Sequence, residues 1–485
     1  MTNNQRRKFI KQSAVAAAGF FIVPRHVLGR GHVAPSDKLN IAAIGAGGKG
    51  QSDLFNAFNK GANNVVAFAD VDWDQAKKTV ERFPNAKKYK DFRKMLEESG
   101  KEIDAVTIST PDHFHAYAAV TCMQMGKHVY VQKPMTNTIS EARLLTEAAR
   151  KYKVVTQMGN QGSSNPMQKV AMDWFDKGLI GTVHTVNIWT NRPVWPQGIP
   201  VPTEKKELPA SMSPEDWNTW IGPAKYVDYH PLYHPFKWRG WWNFGTGALG
   251  DIGCHTIDSP FRILGLGYPT EVETSVGAVF IKDWNPEYIP EGCPPSSHVQ
   301  IKFPATKKNK SAMNMIWMDG GLRPFHPEQL PANEPLSDDG GQNGIFLHGT
   351  KGLMSIGMYG NNPKIYLNNG EKIDTPKLAK QEIELPEYGH QVHWTEACKA
   401  GFNSKQHKEL TSSFDYSGPL TETVLMGNLA IRSWMLRKGD KGEFYGRKKL
   451  LWDGNNMKIT NFDDANQFVT REYRDGWDVS KVAGF

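Results

Sequence analysis

The stretch "GTGALGDIGCHTIDSPFRILGL", Gly245 to Leu266, places an acid, Asp251, four residues before a histidine, His255, where a glycine-rich loop becomes a helix. Four residues is about one helical turn, so both side chains project from one face. A carboxylate and an imidazole so placed have three uses. They can cap a helix start and form a satisfied surface pair. They can ligate zinc, given a third ligand, although neither HExxH nor CxxC spacing occurs in the chain. They can also move a proton during catalysis. The spacing alone leaves all three open.

Other chemistry lies upstream. The apolar run "KLNIAAIG" leads into "IGAGGKGQSDL", where Gly45, Gly47 and Gly50 form GxGxxG. Glycine there permits a tight turn, close approach of a pyrophosphate and packing of helix on strand, and the helix start favours phosphate. Asp70 closes the next apolar run, "NNVVAFAD". An acid at that point accepts hydrogen bonds from ribose hydroxyls and repels a 2′-phosphate, so the pattern predicts NAD rather than NADP. A glycine turn with no nucleotide is the plain alternative.

"STPDHFHA" and "VQKPM" end two further strand-like runs, and "VVTQMG" runs into Asn160. Ligands of such sheets bind beyond the strand carboxyl ends. Thr110, Asp112, His115, Gln132, Lys133 and Asn160 are therefore candidate cofactor contacts, with Lys133 beside the nicotinamide. Burial and nearby charge tune a lysine for proton relay; the alternative is a lysine snorkelling at the surface.

The elements that must position these groups follow from periodicity. Short apolar strands alternate with helical patterns over Trp73–Arg82, Asp91–Glu98, Phe114–Met125 and Ser140–Lys151, which predicts βαβ crossovers and a doubly wound parallel sheet. Beyond Asn160 a helix and strand precede a Pro/Trp-rich stretch, Arg192 to Trp242, expected to be irregular. Later runs such as "HVQIKFPA" and "SAMNMIWMDG" alternate as in an antiparallel sheet. A late helix over Gly418–Leu436 completes the pattern. The expected fold is α/β: a Rossmann domain, then an α+β domain with a large, mostly antiparallel sheet. The expected boundaries are 37–160, 161–455 and a tail, 456–485.

The chain of 485 residues carries a net charge of +8, but six cations and no acid lie in residues 1–36, so the remainder is near neutral at +2. That removes the argument for a nucleic-acid partner. Arg6–Arg7, Phe9 and Lys11 precede a mild apolar run from Ala14 to Val23. The pattern resembles a twin-arginine export signal over 1–36, and implies a periplasmic or otherwise exported protein with no membrane span after processing. Cys122, Cys254, Cys293 and Cys398 are scattered and suggest no metal knuckle; a disulfide between distant cysteines stays open. Fifteen Trp are enough to offer platforms for sugar rings as well as core.

GxGxxG, "TPDHFH", "GKHVYVQKP" and "GDIGCHTID" together resemble the Gfo/Idh/MocA family, the glucose–fructose oxidoreductase and inositol dehydrogenase group. The resemblance runs over about Lys38 to Trp452. It implies NAD as cofactor, a carbohydrate substrate, a homo-oligomer, and Lys133, Asp251 and His255 as catalytic groups. In that reading His255 is the base, Lys133 polarises the reacting oxygen, and Asp251 orients the imidazole or bonds a sugar hydroxyl. The family's EKP glutamate is Gln132 here, and the family often has a cis bond before that proline. By similarity to NAD-dependent glycosidases of the superfamily, Tyr233 and Arg239 are expected to touch substrate, with Tyr229, His230, His234 and Trp238 as weaker candidates. Three functions remain: oxidation or reduction of a sugar or polyol carbon, redox-neutral glycoside cleavage through a transient keto-sugar, and non-catalytic carbohydrate binding.

Overall fold

The computed structural model describes residues 38–376, 389–439 and 442–484. The export signal expected over residues 1–36 lies outside them.

Strands β1 (Asn40–Ile44) and β4 (Ala105–Ile108) are almost wholly buried, because helices cover both faces of their sheet. With β2 (Asn64–Ala69), β3 (Lys87–Tyr89), β5 (His128–Val131) and β6 (Thr156–Met158) they pair in the order β3-β2-β1-β4-β5-β6, every pair parallel. The crossovers are α1 (Lys49–Phe58), α2 (Trp73–Arg82), α3 (Phe92–Ser99), α4 (Asp112–Gln124) and α5 (Ile139–Tyr152). Local chemistry starts them. The Asp72 carboxylate caps α2 by accepting from Asp74 N at 3.0 Å, and Thr138 with Glu141 forms a capping box on α5.

The second unit contains α6 (Met167–Asp176), β7 (Val183–Trp189), α7 (Pro214–Ile221), α8 (Gly247–Thr256), α9 (Asp258–Leu264), β8 (Glu271–Val276), β9 (Ser297–Phe303) and β10 (Met313–Met318). The chain continues through β11 (Gly344–Gly349), β12 (Gly352–Ile356), β13 (Lys364–Leu367), β14 (Lys372–Ile373), α10 (His390–Ala400), α11 (Lys405–Lys408) and α12 (Phe414–Trp434). The chain closes with β15 (Leu450–Asp453), β16 (Lys458–Ile459) and α13 (Val479–Ala483). The ten strands run β14-β13-β12-β11-β7-β10-β9-β8-β15-β16. Only β7 and β10 pair in parallel among the described strands of this sheet. Burial alternates along β9, as a sheet with one covered face requires, and α12 packs on that sheet.

Four expectations are revised. The Pro/Trp-rich stretch is not irregular throughout: Ser213 and Asp216 form a capping box, with Pro214 in the first turn, and start α7. The late helix begins at Phe414 and carries Pro419 in its second turn. Residues 390–410, assigned to the substrate domain, return to the Rossmann domain, where Trp394 and Ala397 share a core with Ile41, Ala43 and Phe68. Residues 456–484, expected within a C-terminal tail, pack onto both units. They complete the sheet edge with β16, pair Arg471 with Glu141 at 2.8 Å, and set the Trp477 ring 4.8 Å from that of Tyr117. Among the described residues the four cysteines are free and buried, and no helix is long and apolar enough to cross a membrane.

Candidate active site

A cavity of about 810 Å³ opens at the carboxyl edge of the parallel sheet, between it and the second unit. Its Rossmann wall starts with the glycine loop. Gly45 has φ +78°, and a Cβ there would stand 2.8 Å from Ser109 O, so only glycine fits. Gly48 is the open position: a Cβ would meet nothing within 4 Å. Gly45 and Gly47 line the cavity with it. Gly50 does not; it lies behind, where a Cβ would meet Gly45 O at 2.0 Å, and it closes the turn rather than touching a ligand.

Asp70 also lines the cavity. Its carboxylate accepts from Ala46 N (2.8 Å), Gly47 N (3.0 Å) and Asp72 N (2.9 Å), so it shapes the loop as well as facing the ribose position. Burial raises its pKa against those three bonds. Thr110 lines the wall with a buried, unpartnered Oγ1. Helix α1 starts at Gly48 without a side-chain cap. Open space, an unused hydroxyl and uncapped helix N–H groups fit a dinucleotide phosphate.

Two predicted cofactor contacts are corrected. His115 is buried behind the wall. Its Nδ1 lies 2.8 Å from Pro134 O and its Nε2 2.8 Å from Thr110 O, joining the two strand ends. Burial outweighs those carbonyls and lowers its pKa to about 4. Asn160 is fully buried and accepts from Ser412 Oγ, away from the cavity. Both follow strand ends, and the rule placing ligands there does not distinguish the residue facing the cleft from the one anchoring the loop.

Lys133 lines the cavity and immediately precedes the cis bond to Pro134. Its ammonium donates to the Asp251 carboxylate (2.8 Å) and to the Asp251 carbonyl (2.6 Å). Arg239 Nε adds a weaker contact to the same carboxylate at 3.4 Å. Burial alone would raise the Asp251 pKa, but Lys133 and Arg239 hold it down to about 2. His255 lines the cavity one turn along α8. Burial, with the Lys133 charge beside it, lowers its pKa well below 6.5, and its Nδ1 is buried without a partner. Asp251 therefore holds Lys133, not the imidazole; the His255 ring rests edge-on against Tyr359 at 4.9 Å. Asp112 lines the same cavity, accepts from Thr246 Oγ1 at 2.6 Å, and is pushed up to about 7 by burial. Among the described residues no three His, Cys, Asp or Glu side chains gather into a possible metal site.

Gln132 has a physical partner. Its Nε2 donates at 2.8 Å to the carboxylate of Asp53, which is fully buried and also accepts from Ser109 and Gln391. A glutamate at 132 would oppose that carboxylate, so the negative charge stands on Asp53 and the amide on 132.

Arg239, Trp238 and His234 line the cavity as expected. Tyr233 does not. It is buried between Trp241 and Phe244, with ring centroids at 5.4 and 5.3 Å, and burial raises its pKa to about 12. Tyr229 and His230 are also absent from the cavity wall. Sequence reasoning missed Lys49, Gln161, Arg192, Trp195 and Tyr359, all of which line it. Lys49 lay inside the glycine motif; Gln161 opens a single short 3-10 turn, and Arg192, Trp195 and Tyr359 lie on loops with no periodicity to mark them.

A Rossmann sheet, an open glycine loop and a second sheet unit sharing one cleft define a two-domain dinucleotide-binding protein. Residues 39–160 match the NAD-binding Rossmann fold of the Gfo/Idh/MocA oxidoreductase family, and residues 172–279 match that family's C-terminal alpha/beta domain. The chain belongs to the Gfo/Idh/MocA family, and its first domain is an NAD-binding Rossmann domain. It is 25% identical over 260 residues to levoglucosan dehydrogenase of Pseudarthrobacter phenanthrenivorans, covering 51% of this chain and 55% of that protein. It is 24% identical over 206 residues to a glycosyl hydrolase family 109 protein of Shewanella, covering 37% and 44%. The chain thus spans about half the length of these relatives. Among solved structures it is similar in fold to the WlbA dehydrogenase of Chromobacterium violaceum in complex with NADH and UDP-GlcNAcA. That likeness has a TM-score of 0.53 at 18% identity, over 82% of this chain and 95% of that one.

Proposed function

We propose that the protein is an NAD-dependent oxidoreductase acting on a secondary alcohol of a sugar or polyol. The observation that carries the reading is the Lys133–Asp251 pair, 2.8 Å apart, beside a neutral His255 in the cavity that holds the glycine loop. Bound NAD supplies a hydride acceptor. Two of the three Lys133 ammonium protons go to Asp251, which leaves one for the reacting oxygen. That contact stabilises negative charge as it develops on oxygen. His255 is neutral, hence able to accept the hydroxyl proton, and Nε2 is the nitrogen left for the cavity. Asp251 fixes the ammonium in place.

The glycosidase relative supports a second reading, in which transient oxidation acidifies a neighbouring C–H and lets the glycosidic oxygen leave. An aryl glycoside separates the two. Keto-sugar without free aglycone marks the first, and released aglycone marks the second. Neither product, with NAD bound, refutes both.

The same proposal includes export through the twin-arginine route, on the strength of Arg6–Arg7 and the following apolar run. That route carries folded proteins, so the cofactor travels bound, and the enzyme must recycle it in place. Cell fractionation of Arg6→Lys/Arg7→Lys should show loss of the exported form; unchanged distribution contradicts export. Sedimentation of the purified chain tests the accompanying proposal of a homo-oligomer.

A further inference from the structure

We infer that the sugar substrate carries a carboxylate, bound by Arg192 together with Arg239, both of which line the cleft. The inference rests on the sugar-oxidoreductase reading and narrows it to acidic sugars, such as uronates.

Charge balance in the cavity is the first observation. The cations of the nucleotide side have partners: Lys49 pairs with Asp53 at 3.3 Å, and Lys90 bonds Val71 O, Ser211 O and Asp216. Lys133, Arg239 and Arg192 also line the cleft, with two carboxyl groups, Asp251, held down to about 2, and Asp112, pushed up to about 7. The Asp251 carboxylate is already shared by Lys133 and Arg239. Arg192 has no carboxylate partner among the described residues; its guanidinium bonds only the Asn191 side-chain oxygen. A cation with no counter-charge in a partly enclosed cleft favours an anionic ligand.

Construction is the second observation. The Arg192 backbone is pinned on both sides, its N–H donating to Thr190 Oγ1 at 3.2 Å and its carbonyl accepting from Gly320 N at 2.6 Å. It follows β7, at the centre of the large sheet, so its base is rigid. Three residues on, Trp195 commits its indole N–H to Gln197, which leaves the ring for apolar contact. The Arg239 guanidinium lies 5.8 Å from that ring and 4.2 Å from the Trp238 ring. The Arg239 guanidinium, flanked by indoles, and the Arg192 guanidinium, which lines the same cleft, offer forked donors to a carboxylate, and the indoles offer flat faces to a sugar ring.

The test uses the purified full chain with NAD and matched probes: D-glucuronate against D-glucose, D-galacturonate against D-galactose, and their methyl glycosides. Nicotinamide reduction gives kcat/KM, and tryptophan fluorescence gives binding. The uronates should exceed their neutral partners by roughly 10- to 100-fold in kcat/KM, the reach of a charged hydrogen bond. Arg192→Gln should lower kcat/KM for the uronates by more than for the neutral sugars and so remove that advantage, and Arg192→Lys should restore part of it. Neutral sugars turned over as well as or better than uronates overturn the inference and leave the oxidoreductase reading intact. A loss shared equally by both probe types in Arg192→Gln also overturns it. Uronates bound through Arg192, with no nicotinamide reduced by any sugar, uphold the inference and overturn the oxidoreductase reading. No binding of any probe overturns the inference.

Discussion

The nucleotide end and the sugar end of the cleft are built differently. At the nucleotide end two carboxylates organise the wall, Asp70 holding Ala46, Gly47 and Asp72 and Asp53 gathering Ser109, Gln132 and Gln391, with the Thr110 hydroxyl left open beside them. At the sugar end groups are left in want of partners: the His255 Nδ1 is unpaired and Arg192 lacks a counter-ion. The first end is a rigid cradle. The second holds an ionised Asp251 paired with Lys133 beside a neutral His255. Substitutions at the two ends should therefore fail in different ways, the sugar end losing turnover and the nucleotide end losing affinity or cofactor choice.

The largest effect should come from the sugar end. Lys133→Met and His255→Ala should each lower turnover by roughly two to four decades, the usual reach of acid–base catalysis, while NAD still binds. Steady-state rates beside NAD titration check this, and near-normal turnover in both variants removes them from the chemistry. An intermediate effect is expected where the two ends meet. Gln132→Glu opposes the buried Asp53 carboxylate and should lower turnover roughly 10- to 100-fold, as expected when a buried hydrogen bond to a charge is replaced by repulsion. Asp53→Asn added to Gln132→Glu should recover much of the loss; a double variant no better than the single one breaks the charge-relocation account.

A smaller effect belongs to the nucleotide end alone. Asp70→Ala should weaken NAD binding and relax discrimination against NADP by about tenfold, one lost interaction of ~1.4 kcal/mol. Kd values for both cofactors decide it, and an unchanged ratio shows that the ribose is read elsewhere.

The smallest effect concerns pH. His113 and His390 are lowered to about 3 and His115 to about 4, all chiefly by burial. Each binds its proton more readily when unfolded, so its contribution is whole above about 6.5 and is lost as pH falls toward those values. Asp112, raised to about 7 by burial, has the opposite sign: its contribution grows as pH falls from 7 toward 3.8. The melting temperature should thus fall on acidification below pH 6.5. Asp112→Asn should steepen the fall by a few degrees, on the order of 1 kcal/mol. Parallel curves for the two proteins contradict the opposed signs.

The two ends also differed in how much the sequence disclosed. The glycine loop, Asp70 and the strand-helix alternation obey short-range rules, and α2 falls at Trp73–Arg82 as its periodicity requires. Lys133, Asp251 and His255 were visible because their motifs are local. Arg192, Trp195 and Tyr359 come together only after β7, α8 and the β12–β13 turn have packed, and no spacing encodes that. Tyr233 failed for the reverse reason: an aromatic among aromatics reads equally as substrate platform or core, and here burial makes it core. His115 and Asn160 show that proximity in sequence to a strand end does not decide which face a side chain takes. The Asp53–Gln132 bond joins residues 79 apart, so the reason for glutamine was invisible until β5 and α1 were placed side by side.

The central claim is that a sugar carbon delivers hydride across this one cleft. The direct measurement is label transfer. The full chain is loaded with NAD, given sugars deuterated at their ring carbinol carbons, quenched during turnover, and its nicotinamide examined by mass spectrometry. The account predicts deuterium on the nicotinamide in the native protein, and its loss in Lys133→Met with NAD still bound. A nicotinamide free of deuterium, recovered from protein that binds both NAD and the sugar, would contradict it.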